Sequence, residues 1–253
     1  GKAGYRTVYT GKWHLDGLDY FDSGVCPMEW DDTYWFDGRR YLASLTEEQI
    51  RLWRQGLKTP GDIRAHGIGP EFTWARHCSD RAIEFLRSSG DRPFVLCVSY
   101  DEPHHPSLCP AEYIERFADF DFPVGPAARD DLRAKPALQR EWAGSRRQQP
   151  TSGFWRAPRY FGCNSFVDAE IGRVLDAVER HAPPDTWVIY TSDHGCYHEA
   201  HGLEGKGAAM YEEATRIPLL VRGPGAKAGH VARRPVSHLD ILPTLLALAG
   251  RKP

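Results

Sequence analysis

Trp187-Val188-Ile189-Tyr190-Thr191 runs without a break into Ser192-Asp193-His194-Gly195. A β-prone run that ends on clustered polar and ionisable groups reads as a strand carrying chemistry at its carboxyl end. The arrangement occurs twice more: a strand at Thr7 to Thr10 feeds Gly11-Lys12-Trp13-His14, and one at Phe94 to Ser99 feeds Asp101-Glu102-Pro103-His104-His105-Pro106. A fourth strand is expected at Ile217 to Val221. Between the second and third, Val167, Ile171, Val174, Leu175 and Val178 recur at three- and four-residue steps, which predicts a helix stopped near Pro183-Pro184. Strands alternating with helices give an α/β fold with a mostly parallel central sheet flanked by helices. In such sheets ligands bind outside the carboxyl ends of the strands. Lys12, His14, His104, Asp193, His194 and Lys206 are therefore expected to gather in one cavity.

The rest of the 253 residues narrows the function classes. With 32 Lys and Arg against 34 Asp and Glu, the net charge of −2 provides no basic field for nucleic acid or an anionic membrane. Apolar runs such as Phe94 to Val98 are too short to span a bilayer. The 24 glycines and 19 prolines point to long, shaped loops, where binding and catalytic groups concentrate. Six dispersed cysteines show no Cys-x-x-Cys spacing, so they leave the redox compartment open. No signal-peptide pattern opens the chain, which reads from its first residues like the middle of a domain. Thr46 to Gln49 and Ser237 to Asp240 have the form of capping boxes, which makes Asp240 a cap rather than a catalyst. The polar stretch at about 120–158 reads as a long insertion loop broken by short helices.

Each candidate has an ordinary reading beside the chemical one. Asp193 and His194 offer an oxygen and an imidazole to one cation, or else form local hydrogen bonds. His194, His198 and His201 suggest zinc, but His198-Glu199-Ala200-His201 is one residue short of the His-Glu-x-x-His spacing. Lys206, in Gly202-Leu203-Glu204-Gly205-Lys206-Gly207, suggests a phosphate loop. Ala200 at the first glycine position and Gly207 after the lysine break that pattern. Lysines such as Lys12 and Lys206 are by default solvated charges, and His105 by default hydrogen-bonds within its turn.

Taken in order, the motifs resemble a known family. Gly4-Tyr5-x-Thr7 with Gly11-Lys12-Trp13-His14-Leu15 resembles a signature of the type I sulfatases, formylglycine enzymes of the alkaline phosphatase superfamily. Thr191-Ser192-Asp193-His194-Gly195, His201-Gly202-Leu203, Lys206-Gly207, Met210-Tyr211-Glu212-Glu213 and Arg216-Ile217-Pro218-Leu219 resemble that family's second metal-binding block, and Val236 to Leu245 a downstream segment. The resemblance implies an alkaline phosphatase-like fold and a partial sulfatase catalytic domain over residues 1–253. It implies that Lys12, His14, His104 and Lys206 are catalytic, with Lys12, His104 and Lys206 binding the sulfate group. Asp193 and His194 would hold one divalent cation, usually calcium, with the imidazole leaving room for manganese. His104 or Lys206 would protonate the leaving oxygen, and His14 would orient the nucleophile or assist collapse of the sulfated intermediate. The partner implied is a sulfated small molecule or sulfated carbohydrate.

The departures matter too. None of Cys26, Cys78, Cys97, Cys109, Cys163 and Cys196 stands in the Cys-x-Pro-x-Arg context that is oxidised to formylglycine, and the family's paired amino-terminal acidic ligands have no counterpart. Cys196 sits where many relatives carry an acidic residue. The expectation is truncation at the front and before a smaller carboxy-terminal domain, with the nucleophile on an upstream segment and this chain inactive alone. Compartment and oligomeric state stay open. Rival readings are a phosphodiesterase or phosphonate monoester hydrolase of the same superfamily, against which Lys12 and His14 argue, and a non-catalytic sulfoglycan-binding protein. The Trp and Arg residues of Asp32 to Arg40 and Arg140 to Arg159 read first as solvated loops, with a sugar- or aryl-binding rim as the alternative.

Overall fold

In a computed structural model the described residues are 3–16, 20–55, 57, 59–144 and 154–252. The elements in order are β1 (Arg6–Gly11), α1 (Gly38–Ala43), α2 (Glu47–Gln55), α3 (Pro60–Ala65), α4 (Trp74–Ser88), β2 (Phe94–Ser99), α5 (Ala111–Glu115), β3 (Phe122–Pro123), α6 (Ala137–Ala143), β4 (Phe154–Trp155), α7 (Pro158–His181), β5 (Val188–Thr191), α8 (Glu212–Thr215), β6 (Leu219–Arg222) and α9 (Ile241–Leu248). The chain forms two compact units. One comprises Gly1–Tyr113, Cys163–Pro184 and Lys227–Pro253, the other Ile114–Gly162 and Asp185–Ala226.

In the first unit β1 and β2 pair in parallel and in register, Arg6 opposite Phe94 through Gly11 opposite Ser99. The crossover between them includes α4, whose buried face seats Ala82, Phe85 and Leu86 against Val8 and Tyr34 and against Val174 and Ala177 of α7. Because the pairing is in register, both strands end side by side. Gly11 closes β1 at φ +120°, and a Cβ there would fall on the Ser99 carbonyl. Only glycine meets both demands, which gives the first residue of the Gly-Lys-Trp-His motif its physical reason.

The helix expected from the 167–178 pattern is α7, and it ends two residues before Pro183. Its buried face differs from the expected stripe: Cys163, Phe166, Val167, Glu170, Val174 and Ala177 turn inward, whereas Leu175 faces outward. A step of 100° separates Leu175 from Val174, so both cannot share one narrow contact face. The buried Glu170 is tolerated because Arg173 pairs with its Oε2 at 2.6 Å and Arg76 stands 3.2 Å from Oε1. Both expected capping boxes form, Thr46 with Gln49 and Ser237 with Asp240. A third, Thr59 with Asp62, opens α3.

In the second unit β5 and β6 pair antiparallel, Val188 opposite Arg222 through Thr191 opposite Leu219, whereas β1 pairs in parallel with β2 and, at Thr10, with Phe36. A buried cluster of Leu132, Ala143, Tyr197, Leu203, Ala209 and Ala214 holds the 193–214 loops. The 120–158 stretch contains the β3–β4 ribbon, the turn Pro126–Arg129 and α6. Residues 145–153 of that stretch, and of the candidate rim, lie outside the described residues. The other rim segment is corrected: Trp35 is buried beside Tyr9, Trp13 and Trp30, and Arg40 is tied to Asp32. Burying an indole gains far more than leaving it as a solvent-facing platform.

Gly11→Ala is expected to lower the urea unfolding free energy by at least about 2 kcal/mol through forced backbone strain. Gly172→Ala, in open space on α7, is expected to raise it by about 0.5–1 kcal/mol.

Candidate active site

The parallel end of β1 and β2 builds the first cluster. Lys12 N–H donates to the Ser99 carbonyl at 2.9 Å, which carries the Lys12 side chain alongside the segment after β2. There Nζ pairs with Asp101 Oδ1 at 2.9 Å, both side chains largely buried. The second carboxylate oxygen accepts from the Tyr20 hydroxyl, and Tyr20 Oη lies 3.1 Å from His104 Nδ1. The Tyr20 ring also lies under the Lys12 ammonium, 4.0 Å from centroid to Nζ. Burial first, and Asp101 second, push the Tyr20 hydroxyl well above the usual tyrosine range, so it remains a donor. His104 N–H closes a turn onto the Asp101 carbonyl at 3.0 Å, fixing the two residues together.

His14 is placed through its main chain. At φ 51° its N–H donates to Asp22 Oδ1 at 2.5 Å, and Trp13 N–H donates to Oδ2 at 3.1 Å. Its side chain is exposed. Burial pushes the Asp22 carboxyl up, partly offset by the donated main-chain bonds from His14 and Trp13. The structure thus joins Lys12 to His104 through Asp101 and Tyr20, and ties His14 to Asp22.

The turn after β5 builds the second cluster. Gly195 N–H bonds the Ala214 carbonyl at 2.8 Å, and a Cβ at Gly195 would strike the Glu213 carbonyl. Asp193 Oδ1 accepts from His194 N–H at 2.8 Å, while Oδ2 lies 3.1 Å from His194 Nε2. His194 Nδ1 faces the Gly195 carbonyl at 2.8 Å. A carbonyl only accepts, so Nδ1 carries hydrogen, and Nε2 is the ring atom that faces the Asp193 carboxylate. Lys206 Nζ lies 2.5 Å from the same Nε2.

This donor pair suits a metal cation, with the second ring nitrogen held by an outer acceptor. Among the described residues no group of three or more His, Cys, Asp and Glu side chains is placed to hold a metal ion. His198 and His201 are occupied elsewhere. His198 stacks on Trp155 at 4.1 Å and is pushed down to about 4 by burial. His201 places Nδ1 2.8 Å from Asp130 and Nε2 3.6 Å from Glu213 while stacking on Tyr211. The three histidines therefore do not form a zinc cluster. Burial raises the Cys196 thiol above the usual cysteine range, so that position offers a protonated sulfur.

Glu102, between Asp101 and Pro103, is the buried group that the motifs did not single out. Its Oε1 accepts from Ala75 N–H at 2.9 Å at the amino end of α4, and its Oε2 has no hydrogen-bond partner among the described residues. Burial, then the charge of Asp101, push it up to about 8. A helix amino end stabilises a carboxylate by at most about 2 kcal/mol. Taking the charge out of water costs several, so burial wins.

Residues 1–251 match the sequence model of the Sulfatase family. The uncharacterized sulfatase YidJ of Escherichia coli is 53% identical over 251 residues, a match covering 98% of this chain and 50% of that protein. The chain belongs to the sulfatase family. Members of the family are sulfuric ester hydrolases. The solved phosphonate monoester hydrolase of Agrobacterium radiobacter superposes at a TM-score of 0.71 with 22% identity, covering 98% of this chain and 56% of that one. BT4656, solved with its substrate D-glucosamine-2-N,6-O-disulfate, superposes at 0.67 with 20% identity, covering all of this chain and 60% of that one. These two establish the alkaline phosphatase-like fold of this sulfatase chain. The chain spans about half the length of the relatives it matches.

Glu102 carries a proton in the folded state that the unfolded chain releases above pH 4.5. Its contribution to stability is therefore full at low pH and is lost as pH rises to about 8. Glu102→Gln is expected to flatten that fall, so that urea midpoints of variant and parent diverge between pH 5 and pH 8.

Proposed function

We propose that this chain is the part of a sulfatase that grips the sulfate group of a sulfated carbohydrate or small molecule and supplies protons and cations during hydrolysis. What carries the reading is that the family-motif residues are the ones drawn together, Lys12 with His104 and Lys206 with Asp193 and His194. The substrate class is supported by the fold likeness to BT4656, whose named substrate is a sulfated glucosamine.

Lys12 keeps an ammonium of three donors, of which Asp101 takes one, so the others remain for sulfate oxygens. Lys206, beside His194, would supply a cation of the kind that stabilises charge building on a transferred group. His104 or Lys206 gives a proton to the departing oxygen, and His14 orients the attacking group. Asp193 and His194 would hold one divalent cation, calcium or manganese, which supplies Lewis-acid polarisation of a bound oxygen. A formylglycine outside these 253 residues would supply the nucleophilic oxygen, since no cysteine here stands in the required context.

The full-length protein is expected to hydrolyse an aryl sulfate with higher kcat/KM than the matching phosphonate monoester. The reverse ranking would favour the phosphonate hydrolase reading, and tight binding of sulfated sugar without turnover the binding-protein reading. Lys12→Ala is expected to lower kcat about 100-fold to 1,000-fold, as when one oxyanion donor is removed. Asp193→Asn is expected to release the divalent ion, measured by elemental analysis after dialysis. Full retention of the ion would remove Asp193 from the ligand set.

A further inference from the structure

The Tyr20 hydroxyl stands between two groups that the sulfatase motifs do not connect. Its proton has one destination, the Asp101 carboxylate, because a carboxylate only accepts. Its lone pairs therefore face His104 Nδ1, 3.1 Å away, and can engage it only if Nδ1 carries hydrogen. The His105 carbonyl, also 3.1 Å from Nδ1, imposes the same condition independently. Both contacts select one tautomer and leave Nε2 as the atom through which His104 exchanges a proton with substrate. What the His105 carbonyl cannot provide is charge. Through Tyr20 the ring is linked to the Asp101 carboxylate, which favours the imidazolium.

From this geometry we infer that Tyr20 is a positioning residue, which couples His104 to Asp101 and at the same time seats the Lys12 ammonium over its ring. The inference rests on the sulfatase reading only for the proton's destination. The imidazolium Nε2–H bond breaks, an O–H bond forms on the departing alcohol oxygen, and the ring is left neutral with its remaining proton on Nδ1. Among the described residues, the Tyr20 and His105 rings contact His104, and Asp101 and Lys12 lie against Tyr20. Tyr20 bonds both the imidazole and the carboxylate, 81 residues from the latter.

The test is Tyr20→Phe in the full-length protein, which keeps the ring under Lys12 and removes the relay. Histidine signals labelled with ¹⁵N and ¹³C, assigned with His104→Gln, are followed against pH. The parent is expected to show the Nδ1–H tautomer at high pH. The His104 titration midpoint is expected to fall by about half a unit or more in Tyr20→Phe. Asp101→Asn is expected to move it in the same direction. An unmoved midpoint in Tyr20→Phe, or an Nε2–H tautomer in the parent, would overturn the inference. With aryl sulfate, Tyr20→Phe is expected to lower kcat about tenfold to 100-fold, with KM within twofold and the alkaline limb of the pH profile moved to lower pH. A parent inert toward sulfate esters would overturn the sulfatase reading, while the titration would still decide the role of Tyr20.

Discussion

The first unit depends on the in-register parallel pairing of β1 with β2. If the pairing slipped by one residue, Lys12 would no longer bond the Ser99 carbonyl, and its ammonium would be carried away from Asp101. Register is held from both sides of the pair. Below, Val8 is locked into the apolar cluster with Phe85 and Leu86; at the tip, Gly11 admits the Ser99 carbonyl where any side chain would collide. The charged cluster is thus a consequence of core packing several residues away.

The two clusters solve a similar electrostatic problem by different means. In the first, the Lys12 charge is met by a largely buried carboxylate, whose other oxygen is met by a phenol held far from ionisation. In the second, an exposed carboxylate and an imidazole nitrogen face each other, and the Lys206 side chain stands beside them. The first arrangement satisfies its own charges and so defines the orientation of Lys12 and His104. The second retains acceptor capacity that a cation can use. Partners that satisfy one another make good positioning devices, and under-satisfied acceptors make good ligands.

Glu102 shows what that first arrangement costs. Its neighbours Asp101 and His104 must stand at the strand end, so the chain between them turns inward and buries a carboxyl against the amino end of α4. The group stays protonated near neutrality rather than ionising alone beside Asp101. Strain of this kind is common where function dictates the residues next to a buried segment.

The sequence by itself determined the α/β class, the positions of four strands and of the helix α7, both expected capping boxes and the sulfatase motifs, because each rests on local spacing or on a contiguous block. Lys12, Asp193, His194 and Lys206 were legible for the same reason. Tertiary structure alone decided which face α7 buries, since Glu170 is acceptable only once Arg76 and Arg173 reach it. It decided that β5 and β6 run antiparallel and that His201 is clasped by Asp130 and Glu213 rather than free for zinc. It also decided the part played by Tyr20, an ordinary loop tyrosine in the sequence, whose partners Asp101 and His104 lie 81 and 84 residues away. Spacing carries information about one turn or one strand, whereas a hydrogen-bond partner brought in by chain folding leaves no periodic trace in the residues around it.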